Sequence, residues 1–193
     1  MKKVTLITLL TISAFFFSFK VVAPSTWTLD KNHGKLGFTI THLMISDIEG
    51  SFKNFDAKIT TPNEDFTDAV VEMTAETTSI NTDNEKRDNH LRTDAFFDVA
   101  KFPLMTFKST SFKKTGTNTY KVTGDLTMHG VTKPVNLDVI CNIGADPQSK
   151  KPIAGFKITG KLKRTDFGIG TSFPAAMVSD EVTINANGEF KKQ

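Results

Sequence analysis

Lys35 to His42, KLGFTITH, sets Leu36, Phe38, Ile40 and His42 on one face of an extended chain. Lys35, Thr39 and Thr41 take the other face, with Gly37. A period of two marks a half-buried β-strand. The pattern returns along the chain. Gly50 to Thr60 carries it with a shift of phase between Phe52 and Phe55, which predicts a bulge or bend. Ala69, Val71, Met73 and Ala75 alternate with Val70, Glu72, Thr74 and Glu76. After a break, Met105 and Phe107 resume it. Tyr120 to Met128, Val135 to Ile143, Phe156 to Arg164 and Val182 to Phe190 follow. These are eight main runs, with a short opening piece around Trp27–Asp30. Lys114–Asn118, His129–Lys133 and Ala145–Pro152 read as hairpin connections. Asp166 to Asp180, with Gly168, Gly170 and Pro174, is the long exception. Eight antiparallel strands with one apolar face each make a sandwich or a closed barrel. Periodicity leaves both open.

The chain has 193 residues, which suits one domain with one core. Lys2 and Lys3 precede an uncharged run, Val4 to Phe19. A basic start and a short apolar stretch read as a secretory signal over residues 1–23. The expected domain then spans 24–193, in the periplasm or secreted. An uncleaved N-terminal anchor is the other reading. No cysteine follows the apolar run, so lipoprotein-type acylation is not expected. The formal charge is +3, with 24 basic and 21 acidic residues. Removing Lys2, Lys3 and Lys20 with the signal leaves 21 basic residues against 21 acids. A broad nucleic-acid footprint is therefore not expected. Cys141 is the only cysteine, so no internal disulfide forms, and its parity reads as a small buried apolar residue.

The break in the strand pattern is RDNHLRTDAFFDVAKFP, Arg87 to Pro103. Thr82 and Glu85 fit a capping box with Thr82 as N-cap. A short charged helix is predicted near residues 83–92, with Leu91 its one large apolar residue. Phe96, Phe97, Val99 and Phe102 follow and supply the apolar contact. Such a segment is suited to cap one mouth of a barrel.

Several ordered motifs point further. They are Trp27 with Asp30 and His33, then Phe38 and His42 before Gly50 and Phe52. Ser79-Ile80-Asn81-Thr82, Arg87-Asp88-Asn89-His90-Leu91, Phe96-Phe97-Asp98 and Phe102-Pro103 come next, with Phe107 beyond. Gly124-Asp125-Leu126-Thr127-Met128-His129-Gly130-Val131-Thr132-Lys133-Pro134-Val135 follows. Arg164-Thr165-Asp166-Phe167-Gly168 and Ser179-Asp180-Glu181-Val182 complete the set. Over about residues 26–191 the chain resembles the YceI family of bacterial, often exported, lipid-binding proteins. The resemblance implies an eight-stranded antiparallel, lipocalin-like barrel, often a homodimer. It also implies an apolar tunnel for a polyisoprenoid, such as a polyprenyl phosphate or a quinone tail.

An isoprenoid tail needs a long dry channel with few polar groups. Phe38, Ile40, Phe107, Leu126, Val139, Ile158 and Leu162 have the parity to line one, and Phe96 and Phe97 to face it from the lid. The same residues also suit a filled core. Arg164 continues the inward parity of Phe156, Ile158 and Leu162, and an inward Arg must find partners. Those are a lipid headgroup, or an acid such as Asp166, Asp88 or Asp98. Arg87 and His90 are further headgroup candidates, with a solvated helix face as the plainer reading. His42 reads as a satisfied buried histidine. No metal-ligand spacing, nucleophile motif or phosphate-cradling loop is present. No catalytic residue, metal or cofactor is expected beyond the bound lipid. The alternatives are an enzyme on a small amphipathic substrate, with Asp88, His90 or Arg164 at the mouth, and a filled structural barrel. The volume and lining of the interior distinguish the three.

Overall fold

The computed structural model describes residues 23–193. The expected signal segment lies outside these residues apart from Ala23. The strands are β1 (Ser25–His42), β2 (Ser46–Phe52), β3 (Phe55–Thr61), β4 (Val70–Glu76), β5 (Ile80–Asn81), β6 (Leu104–Lys114), β7 (Thr119–Met128), β8 (Val131–Ala145), β9 (Pro152–Lys163) and β10 (Glu181–Lys192). One helix, α1 (Glu85–Leu91), falls between β5 and β6. Neighbouring strands pair antiparallel in the order β10-β9-β8-β7-β6-β4-β3-β1, and β1 pairs with β10 to close the ring. The choice between sandwich and barrel is thus decided for the barrel.

Two irregularities give the eight-membered ring its shape. β2 and β3 are halves of one bent strand, broken at Lys53–Asn54 where the pattern changes phase. The bend is pinned when the Lys53 N–H donates to the Ser79 carbonyl and the Asn54 N–H to Ser79 Oγ. β1 is longer than the periodicity suggests. The opening piece at Trp27 and the run at Lys35 form a single strand of 18 residues. Its register against β10 shifts between Leu29 and Gly34, which absorbs four polar or small residues. The first part of β1 pairs with β3 and the last part with β2. A single strand therefore spans both sides of the bend.

One end of the ring is plugged. The β3–β4 loop carries Phe66, fully buried, into the barrel. Its ring lies 5.0 Å from Trp27 and 5.1 Å from Phe156, and Phe156 lies 5.3 Å from Phe190. These spacings suit tilted and edge-on aromatic contacts. Phe66 holds a left-handed backbone, φ 59°, which a bulky residue adopts only when its surroundings compel it. The compulsion is visible. Tyr120 Oη donates to the Asp65 carbonyl at 2.7 Å, Lys114 Nζ bonds the Asp65 carboxylate at 2.8 Å, and Asn63 Nδ2 donates to the Thr67 carbonyl at 2.8 Å.

Cys141 is buried beside Phe156 across the β8–β9 ladder, and burial pushes its thiol up to about 12.

Phe66→Ala removes the plug from a fully closed site and is expected to cost about 3–5 kcal/mol in urea unfolding. The hydrogen bond from Lys114, followed by bonds from Thr67, holds the Asp65 carboxyl down at about 2. A lowered folded pKa gives stability that is present above the ordinary value of 3.8 and lost as pH falls through about 2. The urea midpoint of Asp65→Asn should therefore lie below wild type at pH 6 and converge with it near pH 2.

Candidate functional site

The inward-facing side chains do not fill the ring. A cavity of about 540 Å³ runs through it, inside the ~300–1,000 Å³ range of ligand sites. Its wall is almost wholly apolar. β1 contributes Leu36, Phe38 and Ile40, β4 Val71 and Met73, β6 Met105 and Phe107, and β7 Leu126 and Met128. β8 adds Leu137, β9 Ile158 and Leu162, and β10 Val182 and Ile184.

Two glycines set the width. A Cβ on Gly50 would stand 2.3 Å from the Phe38 ring, and one on Gly124 2.4 Å from the Phe107 ring. The tip of each ring occupies the space that a side chain on the neighbouring strand would take, while the ring still borders the cavity.

The lid covers the end opposite Phe66. Phe97 packs edge-on against Phe52 at 5.6 Å, and Phe96 stacks on Phe173 at 4.8 Å. Phe173 belongs to the long β9–β10 connection, so two loops meet over the mouth. Gly170 of that connection has φ 58°, and a Cβ there would lie 2.7 Å from the Phe96 ring. Backbone angle and close approach both demand glycine.

Thr82 is not the helix N-cap. Asn84 holds that position and accepts from the Arg87 N–H at 3.0 Å. Thr82 is engaged instead by the buried Asp88, whose carboxylate accepts from the Thr82 N–H at 2.9 Å and from its hydroxyl at 2.5 Å. Asp83, at φ 57°, turns the chain between them. Arg87 donates to Thr82 Oγ1 and to the Thr82 carbonyl, both at 2.7 Å. Arg92 donates to the carbonyls of Thr78 and Ile80 at 2.8 Å. The charges of the insert fasten it to the barrel rim.

Arg164 has a different role from the two anticipated. It is buried, but none of Asp166, Asp88 and Asp98 is its partner. Its Nε donates to Ser179 O at 3.1 Å, and Nη1 donates to Ile169 O at 3.0 Å and to Gly170 O. Nη2 donates to Phe173 O at 2.6 Å and Val178 O at 3.0 Å. A guanidinium has five N–H groups, and five backbone carbonyls take them all. Arg164 thus organises the Asp166–Asp180 connection, although its side chain borders the cavity.

Of the residues anticipated as lining, Phe38, Ile40, Phe96, Phe97, Phe107, Leu126, Ile158 and Leu162 border the cavity. Val139 does not. It is buried opposite Tyr120, toward the plugged end. Arg87 and His90 border the mouth. So does His42, and its imidazole makes no hydrogen bond among the described residues, contrary to the satisfied histidine expected. Ile48, Phe173, Met177 and Val178 of the rim went unread. Ile48 stands in β2 just ahead of the Gly50–Thr60 run, and the other three lie in the irregular β9–β10 connection, where no alternation marks them. Among the described residues no three His, Cys, Asp or Glu side chains group as metal ligands.

A closed eight-stranded barrel with one plugged end, one lidded end and an apolar-walled central cavity is the architecture of a protein that encloses an apolar ligand. A family model described as YceI-like domain matches residues 27–190, and the chain belongs to the YceI-like family. It is 38% identical over 185 residues to protein YceI of Salmonella newport (strain SL254), covering 94% of this chain and 96% of that one. The crystal structure of the Campylobacter jejuni YceI protein superposes with a TM-score of 0.73 at 36% identity, covering 86% and 97%. A polyisoprenoid binding domain from Saccharophagus degradans, implicated in plant cell wall breakdown, shares the fold at TM-score 0.65 and 16% identity, covering 86% and 98%.

Arg164→Met leaves several buried carbonyls without donors, each costing roughly 1–3 kcal/mol. The expected result is a loss of at least about 3 kcal/mol in urea unfolding, with new proteolytic cleavage between residues 168 and 180.

Proposed function

We propose that this protein takes up the tail of one isoprenoid-type lipid, a polyprenyl phosphate or a quinone, into the barrel. It acts as an exported carrier or sequestering protein and performs no chemistry on its ligand. The observation that carries this reading is the cavity wall. A saturated or isoprenoid chain finds apolar side chains along its length, and burial contributes about 25 cal/mol per Å² of apolar surface. The polyisoprenoid binding of the Saccharophagus degradans domain supports the same class of ligand.

Two of the three side chains named for the enzyme alternative are already engaged. Asp88 is committed to Thr82, and all five donors of Arg164 to backbone carbonyls. A headgroup has other partners. Arg87 uses Nε and Nη2 on Thr82, which leaves Nη1 free among the described residues. The rings of His42 and His90 also border the mouth. These three suit a phosphate or a quinone carbonyl better than Arg164 does. Localisation to the periplasm or outside the cell, and pairing as a homodimer, belong to the same proposal and rest on the N-terminal segment and the family resemblance.

Native mass spectrometry of the purified protein is expected to show a lipid mass, or uptake of an added polyprenyl compound. Gly50→Val should drive the Phe38 ring into the lumen and abolish that mass while near-ultraviolet circular dichroism stays native. Repeated absence of lipid on the folded wild-type protein contradicts the proposal.

A further inference from the structure

The connection from β1 to β2 is the part of the rim that faces outward. It is a tight turn, His42–Leu43–Met44–Ile45, closed by the Ile45 N–H donating to the His42 carbonyl at 3.1 Å. Both central residues have positive φ, 52° at Leu43 and 59° at Met44. Two consecutive positive φ values favour residues such as Asn and Gly and penalise large side chains. Here two large apolar residues adopt them, and a third follows. Leu43 is 46% exposed, Met44 73% and Ile45 83%. The Leu43 N–H donates to the Met177 carbonyl at 2.9 Å, and Met177 is itself 46% exposed. The four side chains form one outward-pointing apolar tip on a frame fixed from both sides.

The tip is continuous with the cavity. His42 and Ile48, which flank the hairpin, border the cavity, as do Met177 and Val178. An apolar path therefore runs from the exposed tip over the rim to the lumen. The charges beside the tip are acidic, Asp47 and Glu49 on β2. No attraction to an anionic surface follows from them.

We propose that Leu43, Met44 and Ile45 dock the barrel on the surface of a zwitterionic lipid bilayer. There the tip sinks below the headgroups and sets the cavity mouth against the acyl layer. A tail then passes between bilayer and lumen without crossing water. Binding of this kind scales with the apolar area inserted, so the interaction is insensitive to salt. The proposal rests on the lipid-tunnel reading for its purpose, but the surface itself is testable without it.

The test uses the full chain and phosphatidylcholine vesicles. Cys141 is buried, so one added thiol takes a label selectively. Met44→Cys places an environment-sensitive fluorophore on the tip, and Gln148→Cys places it on the β8–β9 turn at the plugged end. Acyl-chain-brominated vesicles should quench the label at 44 and leave the label at 148 bright. Equal quenching at both sites, or none at 44, overturns the proposal. In a second arm, Leu43→Ser with Ile45→Ser should slow extraction of a polyprenyl lipid from vesicles by roughly tenfold. Uptake of the same lipid from detergent should be unchanged. An unchanged vesicle rate overturns the docking proposal and leaves the tunnel reading intact. Failure of the wild-type protein to take lipid from either medium contradicts the tunnel reading, and the quenching comparison still decides the docking.

Discussion

Closure of the ring by β1 is the constraint on which the rest depends. β1 pairs with β10 along one edge and with β3 and then β2 along the other, so the sheet closes on itself instead of ending in two open edge strands. Once eight strands close, the inward residue of every pair is committed to a common interior. That interior is wider than its side chains fill. Gly50 and Gly124 widen it further by giving Phe38 and Phe107 a bare strand to lie on. The cavity is a consequence of ring size and residue volume together.

The two ends close by different physics, which gives the barrel a direction. The Phe66 end is sealed by packed aromatic rings and a hydrogen-bonded loop. The other end is covered by segments with little core of their own. Asp88, Arg87 and Arg92 fasten α1 to the backbone of residues 78–82, and Arg164 fastens the β9–β10 connection through its carbonyls. Phe96 and Phe173 join the two pieces. The two ends thus differ in kind, a packed aromatic floor against a cover held by buried hydrogen bonds and an aromatic stack.

Much of this was legible in the sequence. Inward parity is a local property of a strand, and Leu36, Phe38 and Ile40, or Ile158 and Leu162, show it without any knowledge of their neighbours. The phase change at Phe52–Phe55 marked the bend for the same reason. What escaped the pattern was either tertiary or irregular. Val139 has the right parity, but its height along the barrel axis places it at the plugged end, and parity carries no height. Arg164 announced itself as an anomaly, yet its partners are backbone carbonyls, which have no residue signature. Phe66 sits in a polar loop, and only the closed barrel explains why a phenylalanine there turns inward. Thr82 matched a capping box because the spacing to Glu85 is right. The buried Asp88 competes for the same hydroxyl and prevails, and Asn84 caps instead.

The central claim is that the lumen is held open as a dry channel for one apolar chain. Crystallographic density inside the barrel of protein purified without added lipid tests it most directly. The account predicts a continuous elongated feature running from the lid beneath Phe96 and Phe97 toward Phe190, with the Phe38 and Phe107 ring tips held against Gly50 and Gly124. An interior in which those rings have turned inward and filled the lumen, with no such feature, would contradict it.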